Sequence, residues 1–217
     1  MSILSDREFL SLRQLRRILI IIGFASLQAA CGSTSGLQST DADQAVAIDL
    51  SAYQHVVLAE FTESASANKK FKSNEKGQKK KAEYEVDVQA AAATFVEYLE
   101  AELVKREVFE SIRRGLEDGD DTAGVLVIGG DVTRYERGNA AAKFLVGLGA
   151  GSTYFDATVN VMDASSGEVL GQIFVDKNSW GLGGVISASQ NVEGFMRGGA
   201  EKTAEELYRA RFGRDPE

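Results

Sequence analysis

Between Tyr154 and Met162 the chain alternates strictly. Phe155, Ala157, Val159 and Val161 fall on one side, with Asp156, Thr158 and Asn160 on the other. A period of two marks a strand with one buried face. The turn-forming cluster Asp163–Gly167 and a second strand-like run, Val169–Asp176, complete a β-hairpin. Tyr53–Phe61 and Val125–Tyr135 are short apolar runs rich in β-branched residues and read as buried strands. Within the second, Gly129-Gly130 points to a bulge or a close backbone contact. Val108–Ile112 is long enough for a short strand only.

Two segments change period. From Asp87 to Arg106, the residues Val88, Ala92, Phe95, Val96, Leu99 and Leu103 recur at helical spacing on one face. Asp87 stands where an N-cap is expected, and Lys105 and Arg106 suit the negative end of the helix dipole. From Asn191 to Arg211 the stripe is Val192, Phe195, Met196, Thr203 and Leu207. The stretch Asn68–Lys81 carries seven lysines and one glutamate with no alternation, as a long exposed loop or the frayed start of a helix would. Strands grouped in runs, without strict alternation with helices, predict an α+β domain. The expected fold is a single, mostly antiparallel sheet of about four to five strands with two main helices packed on one face.

The N-terminus follows another logic. Arg7, Arg13, Arg16 and Arg17 outweigh Asp6 and Glu8, and an apolar run spans Ile18 to Leu27. Ala29 and Ala30 then precede Cys31, the one cysteine of the chain. A positive segment, a short apolar segment and a small-residue cleavage site form a secretory signal. Ile18–Ala30 is shorter than the roughly 20 residues a spanning helix needs. The stretch Leu27-Gln28-Ala29-Ala30-Cys31 resembles the lipobox of bacterial lipoproteins, with Gln28 where an aliphatic residue is usual. That resemblance implies cleavage before Cys31 and acylation of its sulfur, so residues 1–30 are expected to be a signal peptide. Gly32, in place of an aspartate, implies outer-membrane delivery facing the periplasm. Residues 31–49 are rich in Gly, Ser, Thr, Gln and Asp and are expected to form a flexible tether. Residues 50–212 form a single domain on this reading.

Charge and composition narrow the chemistry. The 217-residue chain has a net charge of −8, and loss of residues 1–30 makes it about −10. Such acidity opposes nucleic-acid binding, which rests on neutralising phosphates. His55, the one histidine, sits inside an apolar strand and reads as a satisfied or edge residue. With no second histidine and no spare cysteine, zinc and thiol chemistry lack their parts. Gly147–Gly151 is followed by a strand where a nucleotide loop requires a helix. The turn Glu117–Asp121 lacks the spacing of a calcium loop. No cofactor or metal is expected.

Two apolar, glycine-rich segments remain, Ala140–Ser152 and Trp180–Ala188. A hairpin centred near Ser165-Ser166 places Gly151 opposite Trp180, so both emerge at one end of the sheet. Phe144, Leu148, Gly149, Gly151, Trp180, Leu182 and Gly183 are the candidate interaction surface. Either these segments pack on each other and the helices, or they meet an envelope protein, a second copy of the chain or a membrane. The lysine-rich stretch has a similar choice between solvent and anionic lipid or polysaccharide. A non-catalytic envelope lipoprotein, a binding or assembly module, is the expected function. The alternative is a hydrolase or transferase acting on envelope material through carboxylates such as Asp131, Glu136 or Asp156.

The lipobox, Val125–Gly130, Tyr135-Glu136-Arg137-Gly138-Asn139, Gly147–Ser152 and Phe155-Asp156-Ala157 together resemble a bacterial lipoprotein family catalogued as domain of unknown function 4410. The resemblance covers roughly residues 50–212. It implies an envelope lipoprotein and carries no catalytic residues with it. More distantly, the layout is similar to the periplasmic domain of the curli-secretion lipoproteins, which implies assembly without naming a partner.

Overall fold

The structure is a computed structural model, and it describes residues 33–40, 48–64, 74–117, 119–139, 151–178 and 191–216. Five strands and two helices follow in the order β1 (His55–Glu63), α1 (Glu75–Lys105), β2 (Ser111–Arg114), β3 (Val125–Glu136), β4 (Tyr154–Asp163), β5 (Val169–Asn178) and α2 (Val192–Phe212). The sheet order is β2-β1-β3-β4-β5. This is the expected α+β arrangement, but the sheet is mixed. β1 runs parallel to both β2 and β3, whereas β3–β4 and β4–β5 are antiparallel. The parallel half arises because α1 carries the chain from the end of β1 back to its start. The next strand, β2, then runs in the same direction as β1, and the return of the chain between Arg114 and Val125 starts β3 from the same end.

The alternation within β4 sorts as its sequence requires. Phe155, Ala157, Val159 and Val161 are buried, and they meet Val56, Leu58, Phe61, Ile128, Ile173 and Val175 on one face. Both helices cover that face. Phe95 of α1 lies at the centre, 5.4 Å from the Phe61 ring and 5.1 Å from the Phe155 ring between centroids. Leu99 and Leu103 of α1 and Ala200, Ala204 and Leu207 of α2 are fully buried beside it. Gly130 supplies the expected close contact. A Cβ there would collide with the Thr158 carbonyl oxygen and the Phe61 ring.

Helix α1 starts earlier than its apolar stripe. Asn74 caps it, its side chain accepting from the Gly77 N–H at 2.9 Å, and Asp87 lies in the helix interior. Lys, Gln, Glu and Ala are good helix formers, so the lysine-rich turns hold by propensity with Gly77 alone buried among them. The frayed-start alternative therefore describes Glu75–Lys81. The short strand is also displaced, to Ser111–Arg114, leaving Val108 and Phe109 as core residues before it.

The expected tether departs furthest from its sequence reading. Ser33–Gln38 lies antiparallel along the free edge of β5. The Ser35 N–H donates to Phe174 O at 2.8 Å, Gln38 and Gln172 exchange bonds at 2.9 and 2.8 Å, and the Asp176 N–H donates to Ser33 O at 2.8 Å. This strap satisfies backbone groups that an open edge would leave unpaired. Gly171 makes room for it, since a Cβ there would strike Ile48 and lie 2.8 Å from Gln38 O and 3.0 Å from Leu37. Composition gave no warning, because backbone pairing to an edge asks little of side chains.

Candidate functional site

β3 ends and β4 begins at the same place, with Glu136 opposite Tyr154 and Tyr154 opposite Asn178. Beyond them the chain leaves the sheet at Asn139, returns at Gly151 and leaves again at Asn178. Asn139 donates its N–H to Gly151 O at 2.8 Å, which closes the base of the first excursion. Gly151 holds φ at +69°, and Gly138 at +73°, a left-handed backbone that suits glycine. Of the candidate surface residues, Gly151 stands at this end. Phe144, Leu148, Gly149, Trp180, Leu182 and Gly183 lie outside the described residues.

A cleft of about 370 Å³ opens here, lined by Tyr84 and Asp87 of α1, Tyr135 to Asn139, Gly151 and Ser152. Its charges are tied. Arg137 donates to the Tyr135 hydroxyl at 3.0 Å and to Asp87 at 3.0 Å. These contacts raise the Arg137 pKa further, chiefly through the Tyr135 bond. Arg134 reaches Glu136 at 3.5 Å and stacks on the Tyr154 ring at 3.3 Å. Thr153 is fully buried and donates to Arg137 O at 3.2 Å, which fixes the backbone turn after β3. The arrangement is a shaped recess with polar backbone on its rim. An acid–base pair with a free lone pair is not among the described contacts there.

The three carboxylates proposed from sequence do not converge. Asp131 accepts from Thr62 at 2.7 Å, Glu136 faces Arg134, and Asp156 lies on the helix-free face of the sheet. Asp156 instead meets Asp176, directly across from it on β5. Partial burial, then repulsion from Asp176, pushes the Asp156 carboxyl up to about 6, with Arg134 opposing the rise. One oxygen, Oδ1, is enclosed without a hydrogen-bond partner among the described residues. Sequence reasoning missed this pair by one residue. A turn centred at Ser165-Ser166 puts Val175 opposite Asp156, but the register shifts between Val161 and Met162 and brings Asp176 there.

Other chemistry is accounted for. His55, on the inner strand β1, shares a 2.8 Å bond between its Nδ1 and Ser111 Oγ, as a satisfied strand histidine would. In the acidic turn, Asp120 holds the Glu117 N–H at 2.9 Å and Arg113 at 2.7 Å, and Asp121 holds the Ala123 N–H at 3.0 Å. Among the described residues no three acidic, histidine or cysteine side chains are placed to hold a metal ion, and no helix is long and apolar enough to cross a membrane.

The family model for the domain of unknown function DUF4410 matches residues 56–183, from the start of β1 to just past β5. The chain belongs to this family. The match takes in the cleft motifs at Tyr135–Asn139 and Gly151-Ser152, while α2 lies outside it. No curated protein matches the sequence. Among solved structures, a variant PelC dodecamer from Paraburkholderia phytofirmans is similar at a TM-score of 0.49 and 10% identity, over 81% of this chain and 98% of that one. A second crystal form of the PelC dodecamer gives 0.45 and 11%, over 81% and 96%. A neuraminyllactose-binding hemagglutinin homolog from Helicobacter pylori gives 0.38 and 13%, over 81% and 91%.

Proposed function

We propose that this member of the family is a lipid-anchored, non-catalytic binding or assembly module of a bacterial cell envelope, carried by Cys31 on an outer membrane and facing the periplasm. The anchor rests on the sequence alone, on the positive segment, the apolar run and the cysteine that ends it. The module rests on the cleft at the sheet end. Its arginine and aspartate neutralise each other, and its rim is backbone from Gly138, Asn139 and Gly151, a surface suited to docking another chain. The occupant is an envelope protein or a second copy of the chain.

The enzymatic reading keeps one observation in its favour, the Asp156–Asp176 pair with its raised carboxyl. Carboxylates with separated pKa values can divide acid and base roles. The pair lies on the open face of the sheet and lines none of the three clefts described among the placed residues. Binding is the better-supported role.

The test uses the full chain in its native envelope. A fatty-acid label should enter the unsubstituted chain and be absent from Cys31→Ser; equal label in both removes the anchor. A photoactivatable side chain at Asn139 should give one discrete protein adduct. That adduct should weaken in Arg137→Ala and persist in Asp156→Asn. No adduct, or one that depends on Asp156 alone, would overturn the module in favour of the carboxylate site.

A further inference from the structure

The strap fixes more than an edge. It runs antiparallel to β5, and Ser33, its first described residue, is bonded to Asp176 near the C-terminal end of that strand. Cys31 lies two residues before Ser33, and two residues of extended chain span at most about 7 Å. On the lipid-anchor reading, an acyl group on Cys31 would be tethered within that reach of Ser33, at the end of the sheet where Glu136, Tyr154 and Asn178 stand in register. A long free tether would let the domain tumble above the bilayer. A two-residue link leaves one end of the sheet against it.

Helix α1 begins beyond this same end. Tyr84 is level with the ends of β1 and β3, among Glu63, Tyr135 and Glu136. Asp87 holds Arg137, which follows directly on β3. The residues from Glu75 to Glu83 carry the helix about 13 Å further, at the usual rise per residue. Lys76, Lys79, Lys80 and Lys81 are all exposed there, on a chain whose net charge is −8. Lys81 is 3.3 Å from Glu85, while Lys76, Lys79 and Lys80 have no ion-pair partner among the described residues. The acidic chain thus turns its most lysine-dense helical turns toward the end that the anchor holds down.

We propose that these lysines rest on the anionic headgroups of the leaflet that holds the Cys31 acyl chains, so that the domain stands on the membrane in one orientation. The inference depends on the lipid-anchor reading above. Near an anionic surface each lysine contributes roughly fivefold in partitioning, and the attraction decays over a Debye length of about 8 Å. The anchor turns that end of the sheet toward the leaflet, which is why a lipid headgroup is favoured over a soluble polysaccharide.

The test is lysine footprinting on the full chain, purified from membranes and reconstituted into vesicles of phosphatidylcholine with or without phosphatidylglycerol. An amine-reactive acetylating reagent and mass spectrometry read each lysine. In phosphatidylglycerol vesicles the reactivity of Lys76, Lys79, Lys80 and Lys81 should fall about fivefold or more. Lys105, at the far end of α1, should be unchanged, and high salt should restore the reactivity. In the triple variant Lys76→Gln, Lys79→Gln, Lys80→Gln, Lys81 should lose its protection while the chain still floats with vesicles. Flotation with unchanged lysine reactivity would overturn the docking and leave the anchor standing. Protection equal in both lipids, or seen only when envelope polysaccharide is added, would also overturn it. A chain that fails to float at all removes the anchor, and the proposal with it.

Discussion

At the end of the sheet closed by the β4–β5 turn, one carboxylate holds the chain together. Asp163 accepts from the N–H groups of Ser165 and Ser166 at 2.8 Å each, from both their hydroxyls, and from the Tyr53 hydroxyl at 2.8 Å. At the opposite end the chain leaves and re-enters the sheet through Asn139, Gly151 and Asn178, and its described contacts are spread over several side chains. There the contacts are an exposed Arg137–Asp87 pair, a recess and two facing aspartates. The first end spends its polar groups on local structure. The second, among the described residues, carries an exposed ion pair and two facing aspartates, and it is the end on which the proposed binding role rests.

The common core sets the scale of this contrast. Leu99 is fully buried between the helices and the sheet, so Leu99→Ala should cost about 2–5 kcal/mol. Amide hydrogen exchange should then accelerate at both ends alike. Acceleration confined to one end would divide the domain into two units and break the comparison. Next in size is Asp163→Ala, which removes the acceptor of the turn and should cost about 1–2 kcal/mol in urea unfolding. The hydrogen bonds from Ser165, Ser166 and Tyr53 hold the Asp163 carboxyl well below the usual range. Its folded pKa is depressed, so its contribution is present above the unfolded value and lost as pH falls. The variant should therefore lose less stability than the unsubstituted chain on acidification below pH ~4.

The opposite sign is expected at the other end. Asp156 has a raised folded pKa, so its favourable contribution is complete below its unfolded value near 3.8 and is lost as pH rises toward about 6. Asp156→Asn should therefore stabilise the domain at pH 7.5 by ~1 kcal/mol, a figure discounted for solvent screening at a half-exposed site. By pH 4 the gain should vanish. A pH-independent gain would show that the Asp176 contact is not its source. The smallest stability effect belongs to Arg137→Ala, an exposed ion pair worth less than ~1 kcal/mol. Its unfolding midpoint should barely move while the crosslink at Asn139 weakens. A large loss of stability would make the cleft a structural joint and erase the distinction between the ends.

Much of the fold was legible in local pattern. The alternation of β4, the hairpin turn and the faces of both helices follow from which residues are apolar and how often they recur. The recess was half legible, since Tyr135–Asn139 and Gly151-Ser152 were singled out as motifs with nothing to bring Tyr84 and Asp87 onto them. The start of α1 was obscured because its first three turns have helix propensity without an apolar stripe. The Asp156–Asp176 pair was hidden by a one-residue register shift, and a slip of one exchanges every cross-strand partner.

The sequence by itself determined the α+β class, four of the five strands and both helical faces, much of the core, and the cysteine at the end of an apolar run. Those follow from side-chain chemistry read along the chain. Only the tertiary structure decided that β1 lies parallel between β2 and β3, that Ser33–Gln38 closes the β5 edge, and that the lysine turns of α1 stand at the end of the sheet where Ser33 meets Asp176. Each depends on which backbone meets which across long stretches of chain. Hydrogen bonding between main chains is the same for nearly every residue, so it leaves little trace in the identity of the side chains.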